Sequence, residues 1–249
     1  MKHKTKSTRK DKEESFTRGV KVAPKQQWSE AYGIHSFTLT ESQNVLRNKI
    51  IENDLVVCEA PAGTGKSLSV LYSFVKEYIA DSTKQIMIVR TPVQAGLDDV
   101  GFLPSDLNTK LEPHFESTKN LLEQLLTKGK VETDLNHRIH FKIPNFMLGA
   151  TLDDTLLLID EAQQMSPLIL KLLLERVGMN SKVVVCGDNS QMYANSKGRN
   201  ALRDLTPRFF KDYDGEMVAK YPNCAYHSFD VEDVQRSEFV KTVIRAYST

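Results

Sequence analysis

This sequence offers little for covalent cross-linking or metal capture. It has three cysteines in 249 residues, Cys58, Cys186 and Cys224, and no two of them stand at CxxC or metal-ligand spacing. That excludes a disulfide framework, and the three read as small buried hydrophobes in a reducing compartment. No apolar run approaches the ~20 residues that a membrane-crossing helix requires. The N-terminus lacks the apolar centre of a secretory signal, so the expected location is the cytoplasm. Net formal charge is only +1, so global charge argues neither for nor against a polyanionic partner. No internal repeat is present. The apolar and charged fractions, 40% and 26%, are those of an ordinary globular protein long enough for one large domain or two small ones.

The charge that is present is unevenly placed. Residues 1–27 are rich in Lys, Arg, Ser and Thr and poor in large apolar side chains, which predicts a disordered basic tail. Such a tail either touches nucleic acid or only keeps the chain in solution, and the sequence leaves both open. Order is expected from near Trp28, in a single domain over residues 28–249.

Within that domain, short apolar runs alternate with helical periodicity. Strands are expected at 54–59, 85–91, 155–161, 182–188 and 224–229. Helices are expected from Glu41 to Ile51, after Ser67, over 118–126, from Pro167 and over 234–247. Pro113 reads as a loop marker. Ser166 followed by Pro167 is an N-cap followed by proline at the first helical position. The alternation gives an α/β fold with a parallel sheet and helices on both faces.

Between the first strand and its helix lies Ala60-Pro61-Ala62-Gly63-Thr64-Gly65-Lys66-Ser67. Strand, glycine loop, Lys-Ser and helix make a phosphate-binding loop, whose inward N–H groups and helix N-terminus favour an anion. Lys66 would reach the β/γ-phosphates and Ser67 would hold Mg2+. Ala60 stands where the pattern has its first glycine, which is tolerable only if φ there is negative. Upstream, Thr40 and Gln43 have the spacing of a capping box. Gln43 has a second reading, in which its amide pairs with the edge of adenine.

Four polar clusters fall at the C-terminal ends of strands: the glycine loop, Arg90-Thr91, Asp160-Glu161, and Asp188 with Gln191. In a parallel sheet all of these share one rim, the ligand edge of such folds. Asp160 suits a second contact to Mg2+, Glu161 a base that orients water, and Gln191 a hydrogen bond to the γ-phosphate. A turn residue is the competing reading of Asp188. Residues 93–149 form a long excursion between core strands, the expected place for a specificity element. Its candidates for nucleic-acid contact are Lys110, Lys119, Arg138, His140, Phe141 and Lys142.

The box Asp160-Glu161-Ala162-Gln163 resembles that of the PhoH-like P-loop ATPases, relatives of superfamily 1 helicases. The glycine loop, Gly101-Phe102-Leu103-Pro104, Thr151-Leu152-Asp153-Asp154, the Gly187–Gln191 segment and Asp233-Val234-Gln235-Arg236 fit the same pattern in the same order. Leu148 and Ala150 stand where that family often carries arginine. The compact form with a basic arm is similar to phage-encoded versions, so the host is a bacterium or a phage-infected cell. The resemblance implies a RecA-like core, ATP and Mg2+ as cofactors, and hydrolysis coupled to single-stranded RNA or DNA. It also implies a homo-oligomeric ring, such as a hexamer, in which Arg236 reaches a neighbour's nucleotide; a surface arginine is the competing reading. Two other functions stay open: an ATP-controlled protein switch, and a small-molecule kinase, which the water-directed Glu161 and Gln191 disfavour.

Overall fold

The computed structural model describes residues 37–91, 107–144, 147, 149, 151–191 and 200–247, with only the backbone for 107–112. The expectations for the basic tail, for order from Trp28, for residues 101–104, for the Lys110 side chain and for Leu148 and Ala150 lie outside these residues.

The elements are α1 (Glu41–Glu52), β1 (Leu55–Glu59), α2 (Lys66–Ala80), β2 (Gln85–Arg90), α3 (Leu107–Leu125), α4 (Lys128–Asp134), β3 (Ile139–Lys142), β4 (Thr155–Asp160), α5 (Pro167–Leu174), β5 (Lys182–Gly187), α6 (Ala201–Phe209), β6 (Phe210–Tyr213), β7 (Glu216–Ala219), β8 (Cys224–Ser228) and α7 (Glu238–Tyr247). Six strands form one sheet in the order β3-β2-β4-β5-β1-β8, and every pairing in it is parallel. The α/β parallel-sheet expectation holds, and among the described residues no helix is long and apolar enough to cross a membrane.

The pleat explains the two cores. Val56, Cys58, Ile86, Ile88, Leu156, Leu158, Val184 and Cys186 face one side, against α1 to α4. Leu55, Val57, Met87, Val89, Leu157, Ile159, Val183 and Val185 face the other, against α5, α6 and β6. Strands covered on both faces read as continuous apolar runs, which is how they appear in the sequence. Leu71, Phe74, Val75 and Tyr78 form the buried face of α2. Cys58 and Cys186 lie opposite each other in paired strands, both fully buried. Their mutual hydrogen bond, followed by burial, holds the Cys186 thiol well above its ordinary range. They behave as hydrophobes, as expected.

Three boundaries differ from the sequence reading. Pro113 is not in a loop but inside α3. It costs that helix one bond to the Thr109 carbonyl, and the packing of Phe115, Leu122 and Leu125 outweighs the loss. The last helix starts at Glu238 rather than at 234. Asp230 and Asp233 make a capping box around a separate short turn, after which Val234 is extended and buried. The hairpin of β6 and β7, with its turn at Asp214 (φ 53°) and Gly215 (φ 86°), was not foreseen, nor were α4 and α6.

Candidate functional site

The register of the sheet builds the site. Glu59 pairs with Gly187, and Arg90 with Asp160. The ends of β1, β5, β4 and β2 therefore form one continuous rim, and the glycine loop, Arg90, Asp160, Glu161 and Asp188 meet on it.

The loop is held from behind. Ala60 donates its N–H to the Gly187 carbonyl at 3.0 Å. Its φ is not among the positive values, and its methyl is fully buried in the core. This resolves the departure from the glycine pattern: the position has ordinary backbone angles and a methyl-sized space. Gly63 (φ 89°) and Gly65 (φ 78°) do need the left-handed region. Thr64 Oγ1 closes the turn onto the Pro61 carbonyl at 3.1 Å. Pro61, Ala62 and Gly63 are half-buried, and Ser67 lies half-buried in the first turn of α2.

Gln43 is brought to the loop by α1. The capping box with Thr40 forms, Oε1 accepts from the Thr40 N–H at 3.0 Å, and Nε2 donates to the Thr64 carbonyl at 2.9 Å. A Cβ on Gly65 would lie 2.5 Å from that Nε2, so glycine is required there for space as well as for φ.

Several features fit a phosphate with a hard cation. The Lys66 ammonium is buried, and among the described residues it makes one long bond, to the Ala60 carbonyl at 3.4 Å; a buried cation so poorly satisfied is costly unless an anion joins it. Asp160 is also buried, and desolvation followed by the adjacent Glu161 charge holds its carboxyl above the usual range, against the pull of Lys66 and Arg90. The buried Thr91 hydroxyl has no hydrogen-bond partner among the described residues. Among the described residues no three of His, Cys, Asp and Glu are grouped to hold a metal by themselves. Ser67, in the first turn of α2, and Asp160, at the end of β4, are the two oxygen-bearing side chains expected to hold a cation, and so small a set fits Mg2+, which is commonly held by one or two protein oxygens together with substrate phosphates.

Glu161 is positioned by strain and by partners. Its backbone is left-handed (φ 55°, ψ 42°), costing about 1–2 kcal/mol in a residue with a Cβ. Oε2 accepts from Gln163 Nε2 at 2.6 Å, and Oε1 lies 3.8 Å from Arg90 Nη2. Gln163, fully buried, also accepts the Asp188 N–H at 3.1 Å. It joins the acidic box to the next strand end, and sequence reasoning gave it no role. A glutamine two positions past the carboxylate was the available signal. Asp188 Oδ1 accepts from the backbone N–H and hydroxyl of Ser190 at 2.9 and 2.6 Å, so it is the turn former of the two readings. Gln191 is exposed at the rim, and its carbonyl accepts from Gln164 at 3.0 Å. A second unforeseen network lies behind the loop, where Glu59 accepts from Asn189 at 2.7 Å and from the Tyr226 hydroxyl at 3.0 Å.

Arg236 also reaches the site. Gln235 donates its N–H to the Gly63 carbonyl at 2.9 Å, and the Arg236 side chain runs along Gly63 of its own chain. Of the excursion's candidates, Arg138 and Phe141 serve the fold. Arg138 donates to the carbonyls of Tyr78, Asp81 and Lys84 and stacks on Tyr78, while Phe141 packs on Phe115 with centroids 5.4 Å apart.

The family model described as PhoH-like protein matches residues 37–248. A PhoH-like protein of Bacillus subtilis (strain 168) is 33% identical over 196 residues, covering 78% of this chain and 58% of that protein. Protein PhoH of Escherichia coli K12 is 30% identical over 204 residues, covering 80% and 55%. The chain thus spans little more than half the length of these curated relatives. Among solved structures, the ATPase domain of the Thermus phage P74-26 large terminase aligns with a TM-score of 0.53 at 14% identity, covering 91% of this chain and 94% of that one, which supports the P-loop NTPase fold. With its family model matched across the described sheet and every element of the rim, this chain belongs to the PhoH-like family.

Proposed function

We propose that this chain binds ATP with Mg2+ and hydrolyses it in the cytoplasm, coupling turnover to single-stranded RNA or DNA. The observation that carries the reading is the shared rim: a glycine loop with a poorly satisfied buried lysine, one strand away from β5 and two from a buried aspartate followed by an oriented glutamate.

Each role follows from charge and reach. The N–H groups of residues 62–67 and the Lys66 ammonium bind the phosphates, Ala60 and Pro61 shape the loop that presents them, and Ser67 and Asp160 hold the cation. Bound Mg2+ supplies neutralisation of phosphate oxygens. Glu161, fixed by Gln163 and Arg90, takes the position of a base that orients a water. Gln191, exposed at the next strand end, is placed to hydrogen-bond the terminal phosphate. Gln43, already anchored on the loop at Thr64, has one amide hydrogen left for the edge of adenine.

The nucleic-acid part of the reading is supported by family membership and by the Lys119 and Lys142 side chains, which make no hydrogen bond or ion pair among the described residues. A homo-oligomeric ring, such as a hexamer, belongs to the same proposal.

The test is ATP turnover with and without single-stranded RNA or DNA at low salt, where phosphate contacts are strongest. Lys66→Ala and Glu161→Gln should each lower turnover at least ~100-fold, the size of losing one preorganised electrostatic contact. Normal turnover in both variants would refute the site. Turnover that nucleic acid leaves unchanged would favour a protein switch over a remodelling enzyme.

A further inference from the structure

We propose that Arg236 binds the phosphates of the nucleotide held by its own chain's glycine loop. The inference rests on the nucleotide-binding reading above and assigns this arginine within it.

Arg236 is placed by backbone, not by chance rotamer. The Gln235 N–H is bonded to the Gly63 carbonyl at 2.9 Å, in the middle of the phosphate loop. Upstream, the Asp230/Asp233 capping box fixes the short turn, and buried Val234 anchors the exit from it. Downstream, Glu232 of that turn pairs with Arg245 and with Lys241 of α7, the latter at 3.8 Å. The four residues from Val234 to Ser237 are therefore braced at both ends as they cross the loop.

The side chain then lies along the loop itself. A Cβ on Gly63 would stand 2.9 Å from Arg236 Nε, 3.0 Å from Cδ and 3.1 Å from Cγ. Gly63 thus has two reasons to be glycine: its φ of 89° and the arginine stem lying where a side chain would be. Arg236 is exposed and makes no ion pair or hydrogen bond through its guanidinium among the described residues. The carboxylates nearest in sequence are otherwise engaged: Glu238 by Lys241, Asp233 by the Asp230 N–H, and Glu232 by Arg245 and Lys241. An uncompensated guanidinium, with five donors in a planar fork, is thus held against an anion-binding loop of the same chain. Phosphate is the ligand chemistry that suits both.

A contact within one chain and a contact across a subunit boundary give opposite results on mixing. Lys66→Ala and Arg236→Ala proteins are combined at equal concentrations and compared with each alone. If Arg236 serves its own loop, the mixture is no more active than the sum of its parts. If it serves a neighbour, the Lys66→Ala subunits lend their arginine to intact loops, and the mixture regains activity, which would overturn the proposal.

Binding gives the second readout. Titration calorimetry with ATPγS and ADP should show Arg236→Ala and Arg236→Gln weakened ~10–100-fold, the range of one charge-assisted contact, with Arg236→Lys intermediate. Because the side chain is exposed, circular dichroism and melting should match the wild type. Wild-type affinity in both neutral variants would refute the arginine's role while leaving the loop's role standing. A wild-type protein that binds neither nucleotide would refute both.

Discussion

A single methyl group placed at Gly187, behind the phosphate loop, should disable the acidic box. Gly187 ends β5, opposite Glu59. A Cβ there would lie 2.6 Å from Gln163 Oε1, 2.9 Å from Leu202 Cδ2 and 3.4 Å from the Gln163 nitrogen. The leucine methyl can rotate aside. The glutamine amide cannot, because it is fully buried and pinned at both ends, to the Asp188 N–H and to Glu161 Oε2. Moving it breaks a charge-assisted bond, a loss of about 1.5–3 kcal/mol, and strands a buried N–H at about 1–3 kcal/mol. Partial relaxation brings the expected loss of stability for Gly187→Ala to about 2–5 kcal/mol. That is a large share of the ~5–15 kcal/mol that holds a domain folded. Urea unfolding measures it. The same two bonds vanish in Gln163→Ala, so adding Gly187→Ala to that variant should cost less than ~1 kcal/mol more, a coupling of at least ~1–2 kcal/mol. Strict additivity, or a Gly187→Ala protein within ~0.5 kcal/mol of wild type, would refute the reasoning. In the folded variant, turnover should fall while nucleotide affinity holds, because Glu161 loses its orientation and the loop does not.

Two further outcomes separate fold from function elsewhere. Arg138→Ala should lower stability by about 2–4 kcal/mol, since it removes the guanidinium's hydrogen bonds to the Tyr78, Asp81 and Lys84 carbonyls and its stacking on Tyr78. The affinity of the folded fraction for single-stranded RNA should be unchanged, and a weakening of ~10-fold or more would return Arg138 to the nucleic-acid surface. His227 supplies a pH test: burial, followed by the charge of Lys49, holds its imidazole down at about 4. The unfolded chain therefore takes up a proton near pH 6.5 that the folded chain refuses until about pH 4, and stability falls as pH drops through that window. His227→Gln should remove this part of the slope, as read by urea midpoints between pH 4 and 7. An identical slope in both proteins would show that His227 takes up its proton as readily in the folded chain as in the unfolded one, and would refute the burial argument.

What could be read from the sequence was what is local. β4 shows as six consecutive residues buried on both sides, and the two carboxylates at its end need no partner to be recognised. The Thr40–Gln43 box and the Ser166-Pro167 start each lie within one helical turn, and both form as expected. The α6 helix and the β6–β7 hairpin were missed for a related reason. Their strands are four residues long and mostly exposed, so no apolar run marks them, and the Asp214-Gly215 turn signal stood without flanking alternation. The roles of Gln163, Asn189 and Tyr226 depend on which strands become neighbours. β5 lies between β1 and β4, although β4 is roughly a hundred residues from β1 in the chain. A hydrogen bond from Asn189 to Glu59 spans 130 positions, and nothing near either residue announces it.

The strand order carries one more consequence, and it concerns Arg236. β8 adds to the sheet beside β1 and runs parallel to it. A parallel neighbour must leave the sheet on the same rim as the strand it joins, so the chain emerging from β8 is delivered to the phosphate loop by topology alone. The hydrogen bonds record the delivery: Phe229 donates to the Glu59 carbonyl at 2.9 Å, and Gln235 to that of Gly63 at 2.9 Å. Had β8 paired antiparallel, the same residues would exit at the opposite edge, a strand length away. The sequence alone shows an arginine some 170 positions after the loop and permits it any partner, including a neighbour's nucleotide. Six parallel strands in this order leave its own chain's loop as the anion site it is built against.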